Sequence, residues 1–184
     1  CSPYGCAKLG AYWAIVNYRE AYNLFAVNAI SFNHESPRRT GHFVTRKITS
    51  AATKIKLGLQ DKLVLGNLNS YRDWIHALDV VRGHIMMLES DTPDDFVLGS
   101  GESHSVQEFL EIVFKKLDLD WKQYVEISEA HFRPTEVDHL RSDPSKAKNV
   151  LGWETKISFD EMIDEMIAHD LKLAEQEKLL KGIV

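Results

Sequence analysis

Along the 184 residues, stretches with a helical apolar period alternate with short apolar runs of strand length. From Tyr4 to Tyr22, the residues Leu9, Tyr12, Trp13, Val16 and Ala21 follow a rough helical stripe. Gly10 and the aromatics weaken its propensity, so this helix is expected to need tertiary support. After Asn23 comes a mostly apolar run, Leu24-Phe-Ala-Val-Asn-Ala-Ile-Ser-Phe32, which suits a parallel sheet covered on both faces. A polar, Pro-containing loop is expected from Asn33 to Gly41. It leads into a helix from Phe43 that carries Val44, Ile48, Ala51, Ala52 and Ile55 on its period and ends with Gly58 as cap. Lys62–Leu65 and Asp95–Leu98 read as short strands, with a helix from Trp74 to Glu89 between them. Ser105-Val-Gln-Glu108 and Ser158-Phe-Asp-Glu161 match capping boxes, in which hydroxyl and carboxylate satisfy each other's free amides. The first box starts a helix with Phe109, Leu110, Val113 and Leu117. The second starts one with Met162, Ile163, Met166, Ile167 and Leu171, expected to pack on one side and be solvated on the other. Asp143-Pro144 is a further helix start. The alternation predicts an α/β chain that becomes mostly helical toward its end.

Composition narrows the function classes. An apolar fraction of 44% with 27% charged residues describes a globular protein, and a net charge of −5 argues against general nucleic-acid binding, which needs a basic face. Any anionic ligand must be met by local clusters. No apolar run approaches the ~18 residues of a membrane span, and no basic-then-apolar start marks a signal peptide, so a cytoplasmic protein is expected, without a membrane partner. Cys1 and Cys6 are too few and too close for a disulfide framework, and the eight histidines have no partner at a metal-ligand spacing, so reduced thiols and no metal site are expected. No glycine-rich turn joins a first strand to a first helix, so the dinucleotide phosphate fingerprint is absent and the chain is expected to begin in mid-domain.

Candidate chemistry lies in four segments. Tyr4 and Lys8 stand one helical turn apart, where an ammonium can approach the phenol, favour its charged form and let it act as a general base; the same spacing also occurs on ordinary helix faces. Asn33-His-Glu-Ser-Pro-Arg-Arg39 follows a strand, and ligands of open α/β sheets bind beyond the carboxyl ends of strands. Arg38 and Arg39 suit the fork geometry of a phosphate, or form a solvated basic spot. Arg46 and Lys47 stand early in a helix, where cations oppose the dipole and often have an anionic partner. Arg72 and Arg133 could each close on a diphosphate, or serve as surface ion-pair residues.

Together these segments resemble a known family. Ser2-Pro-Tyr4-Gly-Cys-Ala-Lys8 is similar to the tyrosine–lysine motif of extended short-chain dehydrogenases/reductases. The stretches 33–48, Leu65-Gly-Asn-Leu-Asn-Ser-Tyr-Arg-Asp-Trp74 and Arg133-Pro-Thr-Glu-Val-Asp138 resemble the GDP-mannose 4,6-dehydratase family, from Ser2 to about Asp170 but over only roughly the second half of a member. The resemblance implies the C-terminal part of a Rossmann-like doubly wound parallel sheet, in residues 1–60 and about 74–100, plus a smaller, mostly helical sugar-nucleotide-binding part in about 61–73 and 101–184. It implies Tyr4 as the base on the sugar 4-hydroxyl and Lys8 as its electrostatic partner and holder of the nicotinamide ribose. His34 and Arg39 would be further contacts for the cofactor NADP. Asn33, Val44, Lys47, Gly66, Asn67, Arg72, Arg133 and Glu136 would form the pocket for GDP-mannose, the cations meeting its diphosphate. The implied reaction is an internal hydride transfer with loss of water, giving GDP-4-dehydro-6-deoxy-mannose for GDP-fucose and related deoxysugars, in a homodimer or homotetramer. Ile75 stands where a Gly is usual, Leu78 where a Lys is usual, and Thr40 where a small residue follows the arginines. In the family the assisting Thr or Ser, the Glu that moves the C5 proton and the glycine fingerprint lie upstream of the tyrosine, so the 184 residues alone are expected to be inactive. A sugar-nucleotide epimerase or reductase of the same superfamily, and a non-catalytic nucleotide-binding or assembly fragment, are the alternative readings.

Overall fold

The computed structural model describes residues 2–132 and 137–182. Helix α1 (Pro3–Tyr22) is started by Ser2, whose hydroxyl accepts from the Gly5 amide at 3.0 Å, with Pro3 in the first turn, and it ends at Asn23 in the left-handed conformation (φ 53°). Its expected apolar stripe is not buried: no residue of α1 is fully buried, and Leu9 and Trp13 are each 59% exposed. Apolar residues sit all round this helix, so one contact face cannot take them all. Tyr12, Ile15, Val16 and Arg19 form the half-buried row. Arg19 grips Asp95 with two bonds of 2.7 and 3.0 Å, and the Asn28 side chain donates to the Tyr12 carbonyl.

Strand β1 (Asn28–Ser31) is shorter than the apolar run predicts, and Ala29 and Ile30 are exposed rather than covered on both faces. Among the described residues its one paired neighbour is β6 (Asp95–Leu98), parallel, with Asn28 opposite Asp95. The chain stays extended past β1: the Phe32 amide still donates to the Leu98 carbonyl, and then β2 (Asn33–Glu35) pairs in parallel with β5 (Trp74–His76). Both short strands correct the sequence reading, which has a loop at 33–35 and helix from Trp74. A ladder uses backbone groups alone, so three polar or mixed residues can form one without showing period two. Helix α3 (Ala77–Leu88) starts later because His76 caps it, its Nδ1 accepting from the Leu78 amide at 3.1 Å. β3 (Leu63–Leu65) pairs in parallel with β8 (Val125–Ile127), and β4 (Tyr71–Arg72) antiparallel with β7 (His104–Ser105).

Helices α2 (Val44–Lys56), α4 (Val106–Lys116) and α5 (Phe159–Leu180) bury the faces their sequences predict. Ile48, Ala52, Phe109, Val113, Phe114 and Met162 meet in one core, each large side chain stabilising it by about 2 kcal/mol. Gly58, with φ 72°, ends α2 as expected. The capping box of α5 is complete. In α4 only half of the predicted box forms: Ser105 accepts from the Glu108 amide, while the Glu108 carboxylate turns to His104 Nδ1 at 2.9 Å. The Asp143-Pro144 start leads into a single wide turn, Ala147–Leu151.

A second core around α3 and β6 holds Val80, Met87, Phe96, Leu98 and Trp153. Gly83 makes this contact possible: a Cβ there would come within 2.8 Å of Leu98 and 2.9 Å of Trp153. Buried carboxylates tie distant segments together. Asp73 accepts from the amides and hydroxyls of Ser100 and Ser142 and from the Gly101 amide. Asp79 accepts from Arg82 and from the amides of Lys156 and Ile157, and Asp170 from Thr49 and Arg46. Among the described residues no helix is long and apolar enough to cross a membrane, and no group of three His, Cys, Asp or Glu side chains could hold a metal ion. Cys6 is a free, exposed thiol, and Cys1 lies outside the described residues.

Candidate functional site

The change of partner at Phe32 carries the chain from β1 into β2, and β2 opens onto a cavity of about 340 Å³. Its walls are β2, the first turn of α2, the loop after β3 and the β4–β5 corner. Asn33, Val44, Lys47, Gly66, Asn67 and Arg72 all line it, bringing together every sequence-named pocket residue within the described region. Arg133 and Glu136 lie outside the described residues.

Local chemistry fixes most of these groups. The Lys47 ammonium donates to the Val64 carbonyl at 2.6 Å, which pins it to the wall and leaves two of its three donors for a ligand. Arg72 donates to the carbonyls of Tyr71 and Val137, both at 2.7 Å. Asn67 is held by its own turn, its side chain accepting from the Asn69 amide and donating to Ser70. Phe43, Val44 and Thr45 line the cavity at the start of α2, where no side chain caps the helix, so its positive dipole end adds to the two cations. Phe43 and Trp74 supply flat apolar surface. The arrangement suits a ligand with a negative, phosphate-like portion and a ring.

The cavity also holds groups that the sequence reading does not single out. Glu35 lines it while 2% exposed, and accepts from the Thr45 hydroxyl at 2.7 Å. Burial pushes its carboxyl above the usual carboxylate range, against the opposite pulls of the Thr45 bond and the Arg39 charge. The signal was available: a lone carboxylate among the arginines of a loop that follows a strand.

Arg39 lies outside the cavity lining, with its Nε 3.2 Å from Glu35 Oε2 and its guanidinium 3.4 Å from the centre of the Phe43 ring. The Nε is close enough for an ion pair, yet it is buried without an aligned hydrogen-bond acceptor. His34, also outside the lining, places Nδ1 2.9 Å from the Phe32 carbonyl, which can only accept, so Nδ1 carries the proton. Its neighbour His84 titrates below the ordinary histidine range, through burial first and His34 second. Arg46 is no ligand group: it pairs with buried Asp170 at 2.6 Å and donates to the Pro37 and Arg39 carbonyls, holding the arginine loop against α2 and α5. Its expected anionic partner is therefore internal. Arg38 is exposed. Tyr4 and Lys8 share one face of α1, the ammonium 5.6 Å from the centre of the phenol ring, and Tyr4 is 71% exposed.

Residues 1–166 match the family model for GDP-mannose 4,6 dehydratase. The chain belongs to the GDP-mannose 4,6-dehydratase family. It is 54% identical over 179 residues to GDP-mannose 4,6 dehydratase 2 of Arabidopsis thaliana, covering 97% of this chain and 48% of that protein. It is 48% identical over 189 residues to the Homo sapiens GDP-mannose 4,6 dehydratase, covering 94% of this chain and 51% of that one. The chain thus spans about half the length of the curated relatives it matches. Among solved structures, RMD from Pseudomonas aeruginosa complexed with NADPH superposes with a TM-score of 0.86 at 19% identity, over 94% of this chain and 57% of that one. The dTDP-glucose 4,6-dehydratase of Bacillus anthracis in complex with NAD gives 0.82 at 19% identity, over all of this chain and 56% of that one. At that identity these two show the fold: a Rossmann-like α/β architecture, carried here by a GDP-mannose 4,6-dehydratase family chain.

Proposed function

We propose that these residues form the sugar-nucleotide cavity and the tyrosine–lysine pair of a GDP-mannose 4,6-dehydratase, which converts GDP-D-mannose to GDP-4-dehydro-6-deoxy-D-mannose and water. One observation carries the reading: Asn33, Val44, Lys47, Gly66, Asn67 and Arg72, drawn from separate stretches of chain, converge on one cavity. Lys47 and Arg72 would meet the diphosphate, helped by the start of α2, with Asn33, Val44, Gly66 and Asn67 completing the wall. Arg133 and Glu136 belong to the same pocket in this reading. Tyr4 would take the proton of the sugar 4-hydroxyl while Lys8 holds positive charge beside it.

The cofactor in this reading is NADP. Arg39 and His34 would hold it together with Tyr4 and Lys8, and the fit rests on the chemistry of the donors: Arg39 offers only N–H groups, on a guanidinium whose plane is set by Phe43. When bound, NADP supplies a reversible hydride acceptor. A cytoplasmic location, assembly as a homodimer or homotetramer, and the division into a nucleotide-binding part (1–60 and about 74–100) and a substrate part (about 61–73 and 101–184) complete the reading.

Calorimetric titration of the 184-residue chain with GDP tests it. Binding is expected, and Lys47→Met should weaken it roughly tenfold, the worth of one charge-assisted bond to phosphate. Absent binding, or equal affinity in the variant, would overturn the pocket assignment. Because the 184 residues carry no glycine fingerprint and no family Thr/Ser and Glu ahead of the tyrosine, GDP-mannose and NADP should not be turned over by this chain alone; ordinary dehydratase rates would contradict that.

A further inference from the structure

Glu35 has no part in the reading so far, yet it is a carboxylate almost withdrawn from water, at the junction of the proposed substrate and cofactor sides. Burying a carboxylate is costly unless its partners hold it. The Thr45 hydroxyl binds Oε2 at 2.7 Å, and the Arg39 Nε lies 3.2 Å from the same oxygen. Phe43 stacks on the Arg39 guanidinium at 3.4 Å. The ring fixes the plane of the guanidinium but leaves it free to turn within that plane. The Glu35 charge, 3.2 Å from Nε though not in line with its N–H, attracts that edge of the guanidinium and so opposes such turning. Among the described residues neither Nη has a hydrogen-bond acceptor, while the backbone beneath is held by Arg46, which donates to the Arg39 carbonyl at 3.1 Å. A flat donor with a ring on its face and an opposite charge at its Nε edge is biased toward bidentate capture of a phosphate.

We propose that Glu35 is a positioning residue, which turns the Arg39 guanidinium so that its Nη groups meet a phosphate of NADP. The inference rests on the reading of Arg39 as a cofactor contact and adds the group that aims it.

The test uses the 184-residue chain, titrated with NADPH by fluorescence and with GDP by calorimetry. Glu35→Gln keeps the size of the side chain and an oxygen for Thr45, but removes the charge that holds Arg39. A bystander carboxylate near an anion site repels the anion, so its neutralisation would leave both ligands unchanged or bind them more tightly. A positioning role gives the opposite sign for one ligand only: NADPH weakened roughly tenfold, the loss of an aligned charge-assisted bond, with GDP unchanged or tighter. NADPH affinity that holds or rises in Glu35→Gln, while Arg39→Ala weakens it, would overturn the inference and leave the reading of Arg39 standing. If Arg39→Ala does not change NADPH affinity, or the unsubstituted chain binds GDP but not NADPH, the cofactor reading fails and the inference with it. Loss of both ligands together in Glu35→Gln would assign Glu35 to folding and overturn the proposal. Should Glu35→Gln not fold, Glu35→Asp carries the test: the same charge, drawn back by one methylene, should weaken NADPH about threefold and spare GDP, and equal NADPH affinity would sink the idea.

Discussion

Helix α1 and the cavity region carry the two halves of the proposed chemistry, and they are held in opposite ways. The cavity groups stand on α2, β2, the loop after β3 and the β4–β5 corner. α2 and the segment from β3 to Leu68 share the larger core, Asp170 ties α2 to α5, and Asp73 ties the β4–β5 corner to the loop after β6. Helix α1 carries Tyr4 and Lys8, has no fully buried residue, and is fastened to β1 and β6 mainly through Arg19, Asp95 and Asn28. The proposed binding groups are therefore oriented by tertiary packing, whereas the alignment of the proposed tyrosine–lysine pair comes from helix periodicity. Mutations should separate the two, since damage to the packing removes ligand binding and damage to α1 does not.

The sharpest break is expected at Asp73. Its carboxylate satisfies donors from Ser100, Gly101 and Ser142 and so ties the β4–β5 corner to the loop after β6 and to residue 142. Asp73→Ala leaves those buried amides and hydroxyls without an acceptor and should cost about 4 kcal/mol, read by urea denaturation followed through tryptophan fluorescence. Asp170→Asn should cost less, about 2 kcal/mol, because the amide oxygen can still accept from Thr49 while the Arg46 ion pair is lost. Arg46 would then release the Pro37–Arg39 backbone, so the same variant should bind NADPH more weakly than its small stability loss explains. On α1, Trp13→Ala should change stability by no more than about 0.5 kcal/mol, the range for exposed positions. A loss as large as that of Asp170→Asn would mean that α1 is held more firmly than its exposure implies.

The two regions were also unequally legible in sequence. In the cavity region the period of α2, α4 and α5 marked the core residues, whereas the cavity residues were named by the family resemblance of segments 33–48 and 65–74 and not by periodicity or charge. Sequence pattern missed β2 and β5, because their pairing is made by backbone groups whose side chains follow no alternation. It missed the destinations of Arg46 and Glu35 for a related reason: a charge pattern shows that a cation wants an anion, but not that the anion is Asp170, on a helix far along the chain. For α1 the helix and its cap were plain and its burial was not. An apolar residue records what a surface could bury, and around α1 the described chain offers only a narrow contact.

That narrow contact gives the smallest effect and a direct probe of how α1 is attached. Arg19 holds the Asp95 carboxyl down to about 2, with help from Asn28 and Tyr12, while partial burial pulls the other way. A carboxyl with a depressed folded value stabilises the fold above its ordinary pKa and loses that contribution as pH falls toward the folded value. The Asp95 contribution should thus be whole near pH 5 and fade between about pH 4 and pH 2. Thermal unfolding across that range, compared with Asp95→Asn, isolates it: the variant should begin less stable and converge on the unsubstituted chain at the acid end. Glu177 is the control, lowered to about 2 by Lys181 and Lys54, but in a pair about one-third exposed. Raising salt to about 1 M should erase the Glu177 contribution and largely spare that of Asp95, whose side chain is 14% exposed. If both vanished together in salt, the Arg19–Asp95 clasp would be a surface pair like the other, and α1 would be attached by its apolar row instead.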